Sequence, residues 1–78
     1  MTRYFFDIMN GNGDIRDETG LEFSTDAQVE SEIAKILSDI VREEVISERN
    51  GRVIVIVRDE GGRERFRGSL VFSVEAAG

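Results

Sequence analysis

Apolar and polar positions along the chain change their period several times, and each change marks an element. From Arg3 to Met9 they alternate, with Tyr4, Phe6 and Ile8 on one side and Phe5, Asp7 and Met9 on the other. That period of two predicts a strand, and the charge of Asp7 marks the second set as the less buried side. Asn10-Gly11-Asn12-Gly13 follows, and Asn-Gly steps favour the positive φ of a tight turn. Asp14 to Asp17 is expected to return as a short strand with Ile15 inward and Arg16 outward, its brevity and charge suiting a sheet edge. Asp17-Glu18-Thr19-Gly20 predicts a second turn with Gly20 in the left-handed region. Leu21 and Phe23 then alternate with Glu22 and are expected to lie against the core.

The period changes to that of a helix over Thr25 to Val45. At about 100° per residue, Val29, Ile33, Ile36, Leu37, Ile40 and Val41 fall within roughly 140° of one another. Gln28, Ser31, Glu32, Lys35, Ser38, Asp39, Arg42 and Glu43 take the opposite side. Thr25 is the expected N-cap, because Gln28 three residues later completes a capping box. Asp26, Glu30 and Glu32 crowd the first turns, where the helix dipole favours negative charge. Glu44 falls near the middle of the apolar stripe and is expected where the helix runs past the sheet. Asn50-Gly51 is the exit turn.

Val53-Ile54-Val55-Ile56-Val57 is an unbroken β-branched run, which suits a central strand covered on both faces. After the turn Asp59-Glu60-Gly61-Gly62, a last strand places Phe66, Gly68, Leu70, Phe72 and Val74 on one side. Arg65, Arg67, Ser69, Val71 and Ser73 take the other. Gly68 inside this strand predicts a bulge or a close backbone approach. The expected fold is a single α+β domain over residues 1–78, in the order ββαββ. One amphipathic helix packs on a four-stranded, mostly antiparallel sheet, with the first and third strands in the middle.

Composition narrows the function more by exclusion than by assignment. The chain has no cysteine, so neither disulfides nor thiolate metal sites are available, and no histidine, the commonest metal ligand and general base. A domain of 78 residues buries only about 60% of its unfolded surface, and dimerisation is a common remedy. No window approaches the roughly eighteen apolar residues of a membrane span, and the opening run is too short and too charged for a signal peptide. A cytoplasmic protein is expected. The net charge of −6 is unevenly placed: residues 1–48 hold four basic and twelve acidic side chains, residues 49–78 six arginines against four acids.

Arg3-Tyr4-Phe5-Phe6-Asp7-Ile8, the Asn10-Gly11 turn and Asp17-Glu18-Thr19-Gly20-Leu21-Glu22-Phe23 together resemble a family of small acidic bacterial proteins. Its members begin with an R-Y-[YF]-F-D strand and carry a D-E-x-G turn. Val57-Arg58-Asp59-Glu60-Gly61 and Leu70-Val71-Phe72-Ser73-Val74 also match the pattern. That family is a domain of unknown function, so the resemblance transfers no catalytic or binding residue. It implies a bacterial, cytoplasmic, free-standing protein.

Each candidate site in the chain also has a plainer reading. Gly11-Asn12-Gly13 lacks the third glycine and the following helix of a dinucleotide loop, since Arg16 stands where that glycine belongs. Asn10, Asn12 and Asp14 have the spacing of calcium-loop ligands. Ile15 and Leu21 occupy the positions that need glycine and a bidentate glutamate. Weak cation binding by Asp14, Asp17 and Glu18 stands against solvated acidic turns. With no Cys–His or Ser–His pair, and Lys35 among charges on the exposed helix face, no enzymatic activity and no cofactor are expected. Asp7 is expected at a half-exposed sheet position facing an arginine.

The arginines are the better lead. Arg63, Arg65 and Arg67 share a parity that projects them from one face of the final hairpin, with Arg52 or Arg58 nearby. Three readings stay open: they solvate the sheet beside Asp59, Glu60 and Glu64; they meet the acidic half of a second copy; or they touch nucleic acid, which the overall negative charge opposes. If one helix covers the Tyr4 side of the sheet, then Phe5, Met9, Val71 and half of the 53–57 run lie on a bare face. Such a patch marks an interface. The sequence therefore predicts a homodimeric module that binds a protein partner, with Phe5, Met9, Val71, Arg63, Arg65 and Arg67 as its interface. The alternative is a nucleic-acid-associated regulator using the arginine-bearing hairpin.

Overall fold

The computed structural model describes residues 1–11 and 13–78; Asn12 of the expected turn lies outside the described residues. The elements are β1 (Thr2–Asn10), β2 (Gly13–Ile15), β3 (Leu21–Phe23), α1 (Asp26–Ser47), β4 (Asn50–Arg58) and β5 (Glu64–Ser73). The sheet has five strands rather than the expected four, in the order β2-β1-β4-β5 with β3 also on β1, all pairs antiparallel. The additional strand is Leu21–Phe23. Because β2 covers only Ile8 to Asn10, the N-terminal part of the β1 edge is left for Leu21-Glu22-Phe23, which pairs Tyr4 with Leu21 and Thr2 with Phe23. The two strands apolar on both sides, β1 and β4, take the middle.

Helix α1 begins at the expected cap. The Thr25 hydroxyl accepts the Gln28 N–H at 3.2 Å, and the Gln28 side chain accepts the Ser24 and Thr25 N–H groups. Both halves of the capping box are present. Val29, Ile33 and Leu37 are buried against Tyr4, Phe6, Val53, Val55 and Val57, and Phe66 and Leu70 pack around them. Tyr4 and Phe6 stand edge-on to Phe66 and Phe23, with ring centroids 5.9 and 5.8 Å apart.

Gly68 lies where the helix comes closest. A Cβ added there would overlap the Ile33 Cγ2, so the missing side chain lets α1 settle onto β5. The register shift is elsewhere, between Val57 and Arg58, so the close approach is the right reading of this glycine and the bulge is not.

Four local expectations need correction. The strand expected over Asp14 to Asp17 ends at Ile15, because the Asp17 side chain turns back onto β1. Ile15 shares the helix side of the sheet with Ile8, yet it is 58% exposed. Leu21 is likewise exposed, and only Phe23 packs on the core. The reason is that α1 rests chiefly on β4 and β5, so its apolar stripe does not reach over β2. Glu44 is buried rather than overhanging, and α1 continues past it to Ser47.

Replacing Gly68 by valine is expected to cost about 1–3 kcal/mol through overpacking against Ile33. Thr25→Ala should cost about 1 kcal/mol through the lost cap. Urea midpoints measure both, and equal midpoints for G68V and wild type would contradict the close approach.

Candidate interaction face and its polar anchor

The outer edge of β1 is occupied by β3 at residues 2–4 and by β2 at residues 8–10. Asp17 fills the gap between them. Its Oδ2 accepts the Phe6 N–H at 3.1 Å, and its Oδ1 accepts the N–H groups of Thr19 and Gly20 at 2.9 and 3.0 Å. A carboxylate thus stands where a neighbouring strand's carbonyl would otherwise be. Gly20 makes the tight return possible: its φ is +74°, and a Cβ there would meet the Tyr4 carbonyl oxygen at 2.9 Å.

Asp7 and Arg58 tie this loop to the sheet. The Arg58 Nε donates to Asp7 Oδ2 at 2.8 Å, the Asp17 N–H donates to Asp7 Oδ1 at 2.9 Å, and the second Arg58 nitrogen donates to the Asp17 carbonyl at 2.6 Å. The Arg58 and Asp7 side chains are only 14% and 19% exposed. The guanidinium also lies 4.7 Å from the centre of the Phe5 ring. The expected arginine partner of Asp7 is therefore Arg58, which turns toward Asp7 and away from the other arginines of the hairpin.

Burial pushes the Asp7 carboxyl up, but the Arg58 hydrogen bond, the Asp17 N–H and the charges of Arg58 and Arg16 outweigh it. They hold Asp7 below its ordinary value. Asp17 is lowered in the same way: burial acts against the N–H bonds from Gly20, Phe6 and Thr19, and the bonds win. Asp17 is thus an engaged structural group, not a solvated turn acid. Among the described residues no set of three or more acids is arranged to hold a metal ion.

The face turned away from α1 follows from register, since directly opposed residues point the same way. Phe5, Asp7 and Met9 of β1 lie opposite Arg58, Ile56 and Ile54 of β4. Ile56, Ile54 and Arg52 lie opposite Arg67, Ser69 and Val71 of β5. The molecule measures 51 × 23 × 16 Å, the short dimension matching one sheet and one helix, so no second layer covers this side. Met9 and Val71 are 37% and 73% exposed, and Ile54 and Ile56 between them are half-buried. Phe5 shares the face but is half-buried beneath Arg58 and beside Gly20.

The three arginines of the last hairpin do not form one row. Arg63 lies in the turn, where its N–H donates to the Asp59 carboxylate at 3.0 Å. The register shift leaves Arg65 outside the regular pairing, and it pairs with Asp59 at 3.5 Å. Arg67 keeps register opposite Ile56 and pairs with Glu64 at 3.1 Å. These contacts are exposed, hence weak and screened by salt.

Two concavities flank the β1–β2 hairpin. An open groove of about 470 Å³ runs between it and the C-terminal half of α1, lined by Ile8, Ile15 and Ile40 with Asp39, Glu43 and Glu44. A smaller hollow of about 240 Å³ includes Asp7, Met9, Asp14 and Ile56 and opens onto the bare face.

Sequence parity places Met9 and Val71 on the uncovered face and Asp7 beside an arginine, as observed, but it misses the role of Asp17. One signal was available: Asp at the first position of a turn ending in glycine commonly caps backbone N–H groups. That it also reaches Phe6, eleven residues back, is a tertiary fact. The residues of the R-Y-F-F-D strand and the D-E-T-G turn are thereby joined in one hydrogen-bonded unit.

Residues 3–75 match a family model described as a domain of unknown function, DUF6894, and the chain belongs to that family. It matches neither a curated protein nor a solved structure. No helix among the described residues is long and apolar enough to cross a membrane.

Both depressed carboxyls stabilise the fold fully above the unfolded aspartate pKa of about 3.9, and that stability is lost as pH falls through their lower folded values. Thermal midpoints should therefore drop steeply below about pH 4. Asp17→Asn sets an amide N–H₂ against either the Phe6 N–H or the turn N–H groups, so it should cost about 1–3 kcal/mol at pH 7. It should also flatten the acid dependence. An unchanged profile in D17N would show that the carboxylate does not hold the edge.

Proposed function

We propose that the protein is a non-enzymatic, cytoplasmic interaction module that works as a homodimer and presents the uncovered side of its sheet to a protein partner. The observation that carries this reading is the diagonal strip Met9, Ile54, Ile56 and Val71, which no layer of the chain covers and which the hollow beside Met9 and Ile56 extends. Contiguous exposed apolar surface of this kind is characteristic of binding faces. Charged groups border it: Asp14 beside Met9, Arg52 beside Val71, and the ion pairs Arg3–Glu22 and Arg67–Glu64 farther out. Such a border fixes orientation more than it adds affinity.

The chemistry of the polar groups supports the non-enzymatic reading. The best-organised polar cluster, Asp7, Asp17 and Arg58, has every carboxylate oxygen engaged, and both acids are held ionised. That suits an anchor better than a proton shuttle. The alternative, a nucleic-acid-associated regulator using Arg63, Arg65 and Arg67, draws on the basic C-terminal half of the chain. The pairing of Arg65 with Asp59 and of Arg67 with Glu64 weighs against it.

Light scattering at micromolar concentration should give twice the 8.8 kDa chain mass; a clean monomer contradicts the homodimer. A mobility shift with DNA and RNA at low salt should show no retardation, and retardation lost in R65A/R67A would favour the alternative. Met9→Lys, which puts a charge on the strip, should abolish capture of a partner from a lysate of the source organism while leaving circular dichroism unchanged. Equal capture would remove the bare face from the account.

A further inference from the structure

We propose that the second copy joins along the free edge of β5, the two β5 strands pairing antiparallel about a two-fold axis at Ser69, so that two sheets become one. The inference deepens the homodimeric reading and rests on it. Its first ground is the contrast between the two edges of the sheet. The β1 edge is closed by β3, by the Asp17 carboxylate and by β2. Strand β5, ten residues long, pairs among the described residues with β4 alone. Unpaired edges are normally blunted by proline, a bulge, charged side chains or short length. The chain has no proline; the register shift and the charges Glu64, Arg65 and Arg67 stand in the first part of β5, while Gly68 to Ser73 is uncharged and pairs regularly with β4.

The second ground is that β5 is complementary to itself in one register. A two-fold axis perpendicular to the sheet keeps both helices on the same side, so opposed residues must share parity. Centring the pair on Ser69 sets Arg65 opposite Ser73 of the second copy, Arg67 opposite Val71, Phe66 opposite Phe72 and Gly68 opposite Leu70. The charged residues of the strand, Glu64, Arg65 and Arg67, all lie in its first half, so each arginine meets an uncharged residue. A parallel pairing in register would set arginine against arginine. On the helix side Phe66 stands opposite Phe72, and Leu70 stands opposite Gly68, whose side-chain space Ile33 of the same copy occupies. Moving the axis to Gly68 would place Glu64 opposite Phe72, and moving it to Leu70 would shorten the overlap. The contact is isologous and closes at two copies. It lies in the basic half of an acidic chain, where repulsion between copies is least. The two uncovered faces would then run together as one surface.

Cysteine cross-linking reads the register directly. At the axis the two Ser69 Cα atoms stand about 5 Å apart, within disulfide reach. Val71, which faces Arg67 of the second copy, stands roughly 13 Å from its own counterpart. Both positions are exposed, so Ser69→Cys and Val71→Cys should fold normally. Mild oxidation at micromolar concentration should convert S69C to a covalent dimer at least tenfold faster than V71C, and Met9→Lys, far from this edge, should leave the light-scattering mass unchanged. A dimeric wild type with equal or absent cross-linking, or one that M9K dissociates, overturns the edge pairing while the homodimeric reading survives. A monomeric wild type overturns both.

Discussion

The structure depends on one substitution of chemical groups: a side-chain carboxylate takes the place of a strand. Strand β1 is paired along its inner edge by β4, but its outer edge is shared by two short strands that do not meet. The Phe6 N–H falls between them. Phe6 is 5% exposed and its ring belongs to the core, so an unpaired N–H there carries a desolvation penalty. Asp17 removes that penalty and, with its other oxygen, fixes the turn that launches β3. Asp7 and Arg58 then fasten the loop from the far side of the strand. Local turn chemistry and the packing of the central strands are thus one problem with one solution.

That solution gives the domain its asymmetry. Closing the β1 edge engages the Asp17 carboxylate and the N–H groups of Asp17, Thr19 and Gly20, and the helix covers the side of the sheet carrying Tyr4, Phe6, Val53, Val55 and Val57. What remains open is the opposite face and the β5 edge. The β5 edge lies in the C-terminal half, where arginines gather, while the open face spans both halves, from Met9 and Asp14 to Arg52 and Val71. The charge asymmetry along the chain thus reaches the β5 edge, which carries Arg65 and Arg67, but not the whole of the open face.

Much of this was legible in the sequence because it follows from period and parity. The alternation at Tyr4, Phe6 and Ile8, the β-branched run at 53–57 and the stripe from Val29 to Val41 each name an element and the side it buries. The Thr25 cap and the close approach at Gly68 follow from local stereochemistry. The misses have a different character. Ile15 and Leu21 were expected inward because parity assigns a side but says nothing of how far the helix extends over it. Glu44 was expected outside because a carboxylate in an apolar stripe reads as an overhang. The bulge near Arg58 shifts the phase of Arg65, and no residue in the turn announces it. Asp17 looked like one solvated acid among many because its partner Phe6 lies in another strand.

The most direct test of the central claim is amide hydrogen exchange at a single site, followed by NMR. If the Asp17 carboxylate stands in for a strand, the Phe6 N–H is protected as strongly as the Val55 N–H in the middle of β4. In Asp17→Ala that protection falls by orders of magnitude at Phe6 while Val55 changes only with global stability. A Phe6 amide that exchanges freely in the wild type, or one equally protected without the carboxylate, would contradict the account.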